Sequence, residues 1–213
     1  MKDPIKNMVW HDYPHGSITQ WFGENPTLYA RWGLKAHNGI DIVAPHGTPM
    51  YAVEDGFVVD IKSDPNGFGM HIRLRAEKPD ANGHYRCWVY GHCSKIISEL
   101  GDKVNAGDHI ANMGNTGFVV SGSNPFWDHN PYAGTHLHLG LRLLEPDNNG
   151  WRYKGDFISY NVVDYDNGYK GAVDPSIWFS DSSPATQKQY LTLLSLANKA
   201  RDLLIALKLK RYG

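Results

Sequence analysis

The sequence lacks an excess of charge of either sign. Its 213 residues include 21 lysines and arginines and 22 aspartates and glutamates, so the formal net charge is −1 at pH 7. Proteins that bind the phosphate backbone of nucleic acids usually carry a surplus of basic residues. We therefore expect no nucleic-acid partner.

Long apolar runs are also missing. The chain has no stretch of about 18 apolar residues, the length that a helix needs to cross a membrane, and its first sixteen residues contain no apolar core of signal-peptide length. We therefore expect a soluble chain with neither a transmembrane segment nor an export signal.

Cysteine is scarce, since only Cys87 and Cys93 are present. If the segment RCWVYGHC forms one strand, roughly 20 Å separates the two residues, which is far beyond disulfide distance. We predict two buried thiols without a disulfide. A metal-ligand role for Cys93, which follows a histidine, remains an alternative.

Turn-forming residues, in contrast, are plentiful, with 22 glycines and 12 prolines. They separate short segments rich in valine, isoleucine and aromatic residues, as strands require. The segments are SITQWFG, GIDIVA, PMYAVEDGFVVDIKS, GMHIRLRAE, YRCWVYGHC and HIANMG. No helical period lies between them, so the pattern predicts a mainly β fold with an antiparallel sheet or barrel-like core.

Two segments are predicted loops. The Asn-Gly pair in DPNGFG, residues 64–69, favours a tight turn between strands. Residues 119–134 form a long stretch rich in glycine, proline and aromatic residues, the type of connection that often borders a binding groove. Trp127 and Tyr132 are candidates for its wall.

The last thirty residues differ in character. Ser183 and Pro184 suit the start of a helix, and apolar residues then recur at helical spacing on a basic background. We predict an amphipathic helix over residues 183–211 that packs on the domain or on a copy of itself. A position on a membrane surface is the alternative.

Two histidines, His136 and His138, alternate in YAGTHLHLGLR. Residues i and i+2 of a strand point to the same face, so both imidazoles can serve one site. Earlier in the chain, His37 and Asp41 stand four apart in HNGIDI, and Gly39 allows a bend between them. Histidine and carboxylate are ordinary zinc ligands, and three protein ligands with one open position are typical of catalytic zinc.

A third segment, WVYGHC, ends near His92. Strand alternation would place Trp88, Tyr90 and His92 on one face. A histidine after an aromatic strand is unremarkable alone, and it gains meaning only from the other two segments.

Together and in this order, the three segments resemble the lysostaphin-type zinc endopeptidases of bacterial cell walls, which have a LytM-like fold. The chain also carries the turn-rich signatures of that family, namely ITQWFG, HNGIDIVAPHGTPMYAVEDGFV and GDKVNAGDHIANMGNTG. The resemblance covers residues 17–142. It implies that His37, Asp41 and His138 bind one zinc ion and that His92 and His136 are catalytic.

The resemblance further implies that a zinc-activated water hydrolyses peptide bonds in peptidoglycan, in its cross-bridges or stem peptides. The protein would act on the cell wall from the periplasm, from outside the cell or on a phage particle, and the sequence does not reveal how it reaches the wall. A catalytically inactive wall-binding or hydrolase-activating module of the same fold is the alternative. We predict a lead-in over residues 1–16, a peptidase domain over 17–180 and the helical extension over 183–211. Members of the family often carry a long N-terminal pro-segment that covers the zinc, and we expect a site that no such segment blocks. A fold of residues 1–16 over the site is the alternative.

Overall fold

A computed structural model describes residues 1–121, 124–125 and 132–179. The predicted helix over residues 183–211 and the predicted groove residue Trp127 lie outside this part of the chain. Met1–Pro175 form one compact unit, which contains every site discussed below. No helix in the described residues has the length and apolar character needed to cross a membrane.

Strands make up most of the regular structure. They are β1 (Ile18–Gln20), β2 (Gly39–Ile42), β3 (Pro49–Tyr51), β4 (Gly56–Asp64), β5 (Gly69–Ala76), β6 (Tyr85–Gly91), β7 (Cys93–Ile96), β8 (Lys103–Val104), β9 (His109–Met113), β10 (Val120–Ser121), β11 (Asn124–Pro125), β12 (Leu137–Trp151) and β13 (Tyr160–Val162). The helical segments are α1 (Pro26–Tyr29) and two 3₁₀ turns, Ala30–Trp32 and Pro175–Trp178.

The strands form one large sheet and two small ones. The large sheet has the order β1-β2-β12-β6-β5-β4-β8, with β13 also paired to β12. The smaller sheets are β3-β9-β7 and β10-β11. The pairs within them are antiparallel, so the predicted mainly β, antiparallel architecture is confirmed. The predicted turn over residues 64–69 joins β4 to β5.

Strand alternation separates a buried face of the large sheet from the face that carries the candidate site. Trp88 and Tyr90 of β6 lie opposite Leu141 and Leu139 of β12, and all four are buried. The Tyr90 hydroxyl accepts a hydrogen bond from the Val53 amide at 3.0 Å. Because side chains alternate, His138 points to the other face.

The segment RCWVYGHC is not one strand, contrary to the sequence prediction. β6 ends at Gly91, His92 adopts a left-handed conformation with φ of 59°, and β7 begins at Cys93. The His92 amide donates to the Phe68 carbonyl at 2.7 Å instead of continuing the ladder. His92 therefore does not share the buried face of Trp88 and Tyr90.

Both cysteines are buried and free, which confirms the prediction of two thiols without a disulfide. The Cys87 thiol donates to the Tyr153 hydroxyl at 3.5 Å, and the Cys93 thiol donates to the Tyr90 carbonyl at 3.2 Å. Burial raises the pKa of both thiols, so neither is a ready thiolate.

The N-terminal lead-in packs against the domain through backbone contacts near β3. The Lys2 amide donates to the Val53 carbonyl and the Tyr51 amide donates to the Pro4 carbonyl, each at 2.8 Å. Ile5 is buried.

A buried ion pair fastens the segment after β12 to the sheet. The Arg75 guanidinium donates to the Asp156 carboxylate at 2.9 and 3.1 Å, and the Tyr160 hydroxyl donates to it at 3.1 Å. Burial alone would raise the pKa of Asp156, but the bonds from Arg75 outweigh it and lower the pKa. The negative charge of Asp156 is therefore part of the folded state.

We expect Asp156→Asn to lower the free energy of unfolding by about 3 kcal/mol at pH 7, because it leaves Arg75 buried without its counter-charge. The lowered pKa means that the contribution of the charge is complete above the usual carboxyl range near pH 4 and is lost as the pH falls below it. Urea unfolding at pH 7 and at pH 3.5 measures both effects.

The matched control is Glu77→Gln, which removes the ion pair of Glu77 with Lys103 on the surface. We expect that change to cost less than about 1 kcal/mol. Equal losses in the two variants would contradict a structural role for the buried pair.

Candidate active site

The pairing of β2 with β12 brings the motif residues together. The register places His138 opposite Asp41 and Gly140 opposite Gly39. His37 lies just before β2, held by hydrogen bonds between its backbone and those of Gly23 and Glu24. Residues about a hundred positions apart in sequence thus become neighbours on one face of the sheet.

Three side-chain atoms converge at this point. His37 Nε2 lies 3.1 Å from Asp41 Oδ1 and 3.0 Å from His138 Nδ1, and His138 Nδ1 lies 3.1 Å from Asp41 Oδ1. A tetrahedral zinc site with ligand bonds of about 2.0–2.1 Å has donor atoms roughly 3.3 Å apart. The triangle is therefore within a few tenths of an ångström of the size that zinc requires.

Hydrogen bonding determines which atoms of His37 face the triangle. Its Nδ1 lies 3.1 Å from the Trp21 carbonyl, and a carbonyl only accepts, so Nδ1 carries the proton. The lone pair of Nε2 then points at Asp41 and His138. A lone pair, a carboxylate and a second imidazole in one buried place form a donor set suited to a divalent transition-metal ion.

The ionisation of the cluster also favours metal binding. Burial raises the pKa of Asp41, but His37 and His136 together with hydrogen bonds hold it well below its usual value. Burial lowers the pKa of His138 to about 4, despite the opposing effect of Asp41. Asp41 is therefore a carboxylate and His138 a neutral imidazole at neutral pH, the forms that act as ligands.

His92 and His136 flank the triangle. Their ring centroids are 4.5 Å apart, and His136 Nε2 is 3.7 Å from Asp41 Oδ1. Each Nδ1 lies 2.7 Å from a backbone carbonyl, that of Thr116 for His92 and that of Gly134 for His136. Both imidazoles therefore turn Nε2 away from these carbonyls, and in the neutral form that nitrogen carries a lone pair.

Burial, together with His136 and His138, lowers the pKa of His92 well below its usual value, so His92 is neutral at neutral pH. A neutral imidazole with a free lone pair is able to accept a proton, and a protonated one is able to donate it.

The imidazoles of His136 and His138 face the same cavity, as the spacing of the two residues predicted. β12 begins at Leu137, so His136 is the residue just before this strand. The His136 amide donates a hydrogen bond to the Gly114 carbonyl at 3.1 Å. Both imidazoles line the same cavity, together with Asp41 and His92. The division of roles between them stays a prediction.

Gly39 does not act as the bend that the sequence suggested. It lies inside β2, and a Cβ placed on it would stand 2.6 Å from Nε2 and Cε1 of His138. The missing side chain makes room for the imidazole of His138 between the paired strands.

A cavity of about 310 Å³ opens in front of the cluster. Aromatic side chains form much of its wall and were not singled out from the sequence: Tyr29, Trp32, Phe68 and Phe118. Tyr29 stacks on His37 with ring centroids 5.1 Å apart, and Phe68 lies 4.9 Å from the ring of His138. The sequence signal for Tyr29 and Trp32 was limited to their place just ahead of the first motif.

Within the described residues, the cavity lining contains none of residues 1–16 and does not include the predicted groove residue Tyr132. Tyr132 is instead largely exposed and lies edge-on to His46, with ring centroids 4.8 Å apart. The lead-in does not close this cavity. The ligand-type cluster in the described chain contains His37, Asp41 and His138 and leaves out Cys93.

We expect Gly39→Ala to weaken metal binding at least tenfold, because its Cβ would displace the imidazole of His138. The matched control is Gly140→Ala on the facing strand, where a Cβ would meet its nearest atoms at 3.4–3.7 Å, ordinary contact distances. Titration of the metal-free proteins with zinc by calorimetry measures the difference. Equal affinities in the two variants would contradict the role assigned to Gly39.

Comparison with known proteins places these features in a family. Residues 35–151, more than half of the chain, match the model of Peptidase family M23. The peptidoglycan DD-endopeptidase ShyA of Vibrio cholerae is 34% identical over 105 residues, which cover 49% of this chain and 20% of that protein. The glycyl-glycine endopeptidase ALE-1 of Staphylococcus capitis is 37% identical over 85 residues, which cover 40% of this chain and 22% of that protein.

Among solved structures, the catalytic domain of the prophage-encoded M23 protein EnpA from Enterococcus faecalis, an A109H mutant, aligns with a TM-score of 0.45 and 29% identity. The alignment covers 68% of this chain and 93% of that one. The chain spans about a fifth of the length of the two curated relatives. The family match includes the segments that carry His37, Asp41, His92, His136 and His138. The chain belongs to Peptidase family M23.

Proposed function

We propose that this protein is a zinc-dependent endopeptidase that hydrolyses peptide bonds in peptidoglycan, in its cross-bridges or stem peptides. In this proposal His37, Asp41 and His138 hold one zinc ion, and His92 and His136 are the catalytic residues. The observation that carries the proposal is the triangle of donor atoms with edges of 3.0–3.1 Å, flanked by two further imidazoles.

The ligand set leaves one side open toward the cavity. Three protein ligands with an open position are typical of catalytic zinc rather than structural zinc. Bound zinc would supply Lewis-acid activation of a water molecule and of the scissile carbonyl. The residues of the chain bring the substrate, the ion and the proton carriers to one place.

His92 and His136 are suited to move protons. The carbonyls of Thr116 and Gly134 hold each ring by its Nδ1, so the orientation of Nε2 is set before substrate binds. One imidazole accepts the proton of the attacking water, and one in protonated form stabilises the oxyanion or donates to the leaving amine. Both roles need a nitrogen that faces the cavity, and both histidines line it.

Peptidoglycan is proposed as the substrate on the basis of the relatives. ShyA is named a peptidoglycan DD-endopeptidase and ALE-1 a glycyl-glycine endopeptidase, so the two act on different bonds. The cavity in this chain, walled by Tyr29, Trp32 and Phe118, is also lined by Asp41 and His138 of the donor triangle. These features support a peptidoglycan peptide and leave the bond to experiment.

The alternative is an inactive wall-binding or hydrolase-activating module of the same fold. Such a module would be expected to have lost a ligand or a proton carrier. All five residues are present, and four of them, His37, Asp41, His92 and His138, are buried in positions that suit their proposed roles. No feature of the described structure favours the inactive module.

We expect the purified protein to contain close to one zinc ion per chain and to release peptide fragments from purified peptidoglycan. Elemental analysis measures the first, and mass spectrometry of the soluble fragments measures the second and identifies the bond. A folded protein that neither binds zinc nor releases fragments would contradict the proposal.

Asp41→Ala removes the only charged group of the donor triangle. We therefore expect it to lower zinc affinity at least 100-fold and to abolish fragment release. Both quantities are measured on the same preparation, with circular dichroism as the check on folding. A variant that keeps zinc and activity would exclude Asp41 as a ligand.

His136→Ala is expected to lower the rate of fragment release at least 100-fold while close to one zinc ion remains bound, because the imidazole contributes proton transfer and not a ligand atom. His46→Ala, an exposed turn histidine outside the cavity lining, is the matched control and should keep normal activity. Loss of zinc from His136→Ala would show that the roles of His136 and His138 are reversed.

A further inference from the structure

Arg142 differs from the other arginines of the large sheet. Three of the four arginines on its strands have an acidic partner: Arg73 with Asp60 at 3.5 Å, Arg75 with Asp156 at 2.9 Å and Arg86 with Glu54 at 2.7 Å. The backbone of Arg142, on β12, pairs with β6, but its guanidinium has no hydrogen bond or ion pair with any residue that the structure describes.

The position of Arg142 connects it to the candidate active site. It is half-buried and lines the same cavity as His138, Asp41 and His92. Arg142 lies four positions after His138 on β12, so the two side chains point to the same face and their Cα atoms lie about 13 Å apart. Arg142 also lines a second, shallower cavity with the half-exposed aromatic residues Trp151 and Tyr165.

Within the described part of the chain, no carboxylate is bonded to the Arg142 guanidinium. The charged group that acts on it most strongly there is another cation, Arg73, and Tyr153, Cys87 and Tyr165 act on it more weakly. Burial, followed by the charge of Arg73, lowers the pKa of Arg142, yet a guanidinium stays protonated at neutral pH. The carboxylate of Asp41, in the same cavity, is engaged by three histidines.

A partly desolvated guanidinium without a counter-charge is the side chain that binds a carboxylate most effectively. Its planar fork donates two parallel hydrogen bonds, and a low local dielectric strengthens them. Arg75 and Asp156 show this arrangement within the same sheet, where two guanidinium nitrogens contact two carboxylate oxygens. The guanidinium of Arg142 presents the same fork to the cavity. Among the described residues the lining holds two carboxylates, Asp41 and Asp64, and neither is bonded to Arg142: Asp41 contacts histidines and Asp64 accepts from the Asn66 amide.

We infer that Arg142 binds a carboxylate group of the substrate peptide. The inference rests on the proposed function and gives it a substrate requirement: a free carboxylate at a fixed distance from the bond that is cleaved. An extended peptide advances about 3.3–3.6 Å per residue, and the Cα of Arg142 lies about 13 Å from that of His138. The carboxylate therefore belongs to a residue no more than about four positions from the scissile bond.

The first test uses the wild-type, zinc-loaded protein and soluble cross-linked muropeptides. One portion of the muropeptides has its carboxyl groups converted to amides by carbodiimide coupling with ammonia. A second portion has its free amines acetylated and serves as the substrate control. We expect amidation to lower kcat/KM about 10- to 100-fold, mainly through KM, and acetylation to have little effect. Equal kcat/KM for amidated and untreated muropeptides would overturn the inference.

The second test assigns the effect to Arg142. Arg142→Gln should lower kcat/KM on untreated muropeptides by the same 10- to 100-fold and should no longer distinguish them from the amidated ones. Arg142→Lys keeps the charge and loses the planar fork, so its kcat/KM should lie between those of the wild type and Arg142→Gln. This variant is the substitute test if Arg142→Gln does not fold. The matched control is Arg152→Gln, an exposed arginine just beyond β12 that does not line the cavity. Arg152→Gln should show the same decrease in kcat/KM on amidation as the wild type. An equal decrease in Arg142→Gln would overturn the inference.

Equilibrium binding separates this inference from the proposed function. Calorimetric titration with untreated and amidated muropeptides measures recognition without cleavage when the wild type and Arg142→Gln each also carry His136→Ala, which is expected to keep zinc and stop turnover. Cleavage is measured separately on the proteins without His136→Ala. Amidation-sensitive binding that disappears in Arg142→Gln, in a protein that cleaves nothing, would support the role of Arg142 and reject the endopeptidase. Cleavage without amidation sensitivity would support the endopeptidase and reject the role of Arg142. Absence of both binding and cleavage would reject the endopeptidase and the role of Arg142.

Discussion

The antiparallel register of β2 and β12 is the constraint on which the rest of this structure depends. It sets His138 opposite Asp41, and the glycine at position 39 lets the imidazole of His138 enter the space between the strands. A slip of one residue would turn His138 to the opposite face of the sheet. The buried leucines at 137, 139 and 141 hold the register, since the same slip would expose them. Core packing and site assembly are thus one requirement.

Backbone carbonyls complete what the register begins. Trp21, Thr116 and Gly134 lie in three separate connections, and the carbonyl of each accepts from Nδ1 of a different histidine. Each bond orients a ring and leaves Nε2 for the site. This explains why connections without regular structure are part of the candidate site. For His37, the Trp21 carbonyl holds the proton on the side of the ring away from Asp41 and His138.

The sequence contained more information about the residues of the candidate site than about the backbone conformation around them. The spacing of His136 with His138 indicated a shared strand face, because strand alternation is a local property. Joining that pair with His37 and Asp41 in one centre depended on the family resemblance. His92 was assigned to a strand face that it does not occupy, since its left-handed conformation depends on the Phe68 carbonyl, a contact distant in sequence. The aromatic cavity wall was missed for the same reason, and the helix over residues 183–211 stays a prediction.

The sequence by itself determined the mainly β architecture and the absence of a disulfide, which follow from residue type, turn chemistry and short-range spacing. The five candidate site residues were proposed from the resemblance of the three histidine-containing segments to a known family. Only the tertiary structure decided that Gly39 leaves space for the imidazole of His138 and that His92 lies between two strands in a left-handed conformation. It also decided that Arg142 lines the cavity with no carboxylate bonded to it among the described residues. The physical reason is that distances between donor atoms, burial and charge pairing arise between residues far apart in the chain.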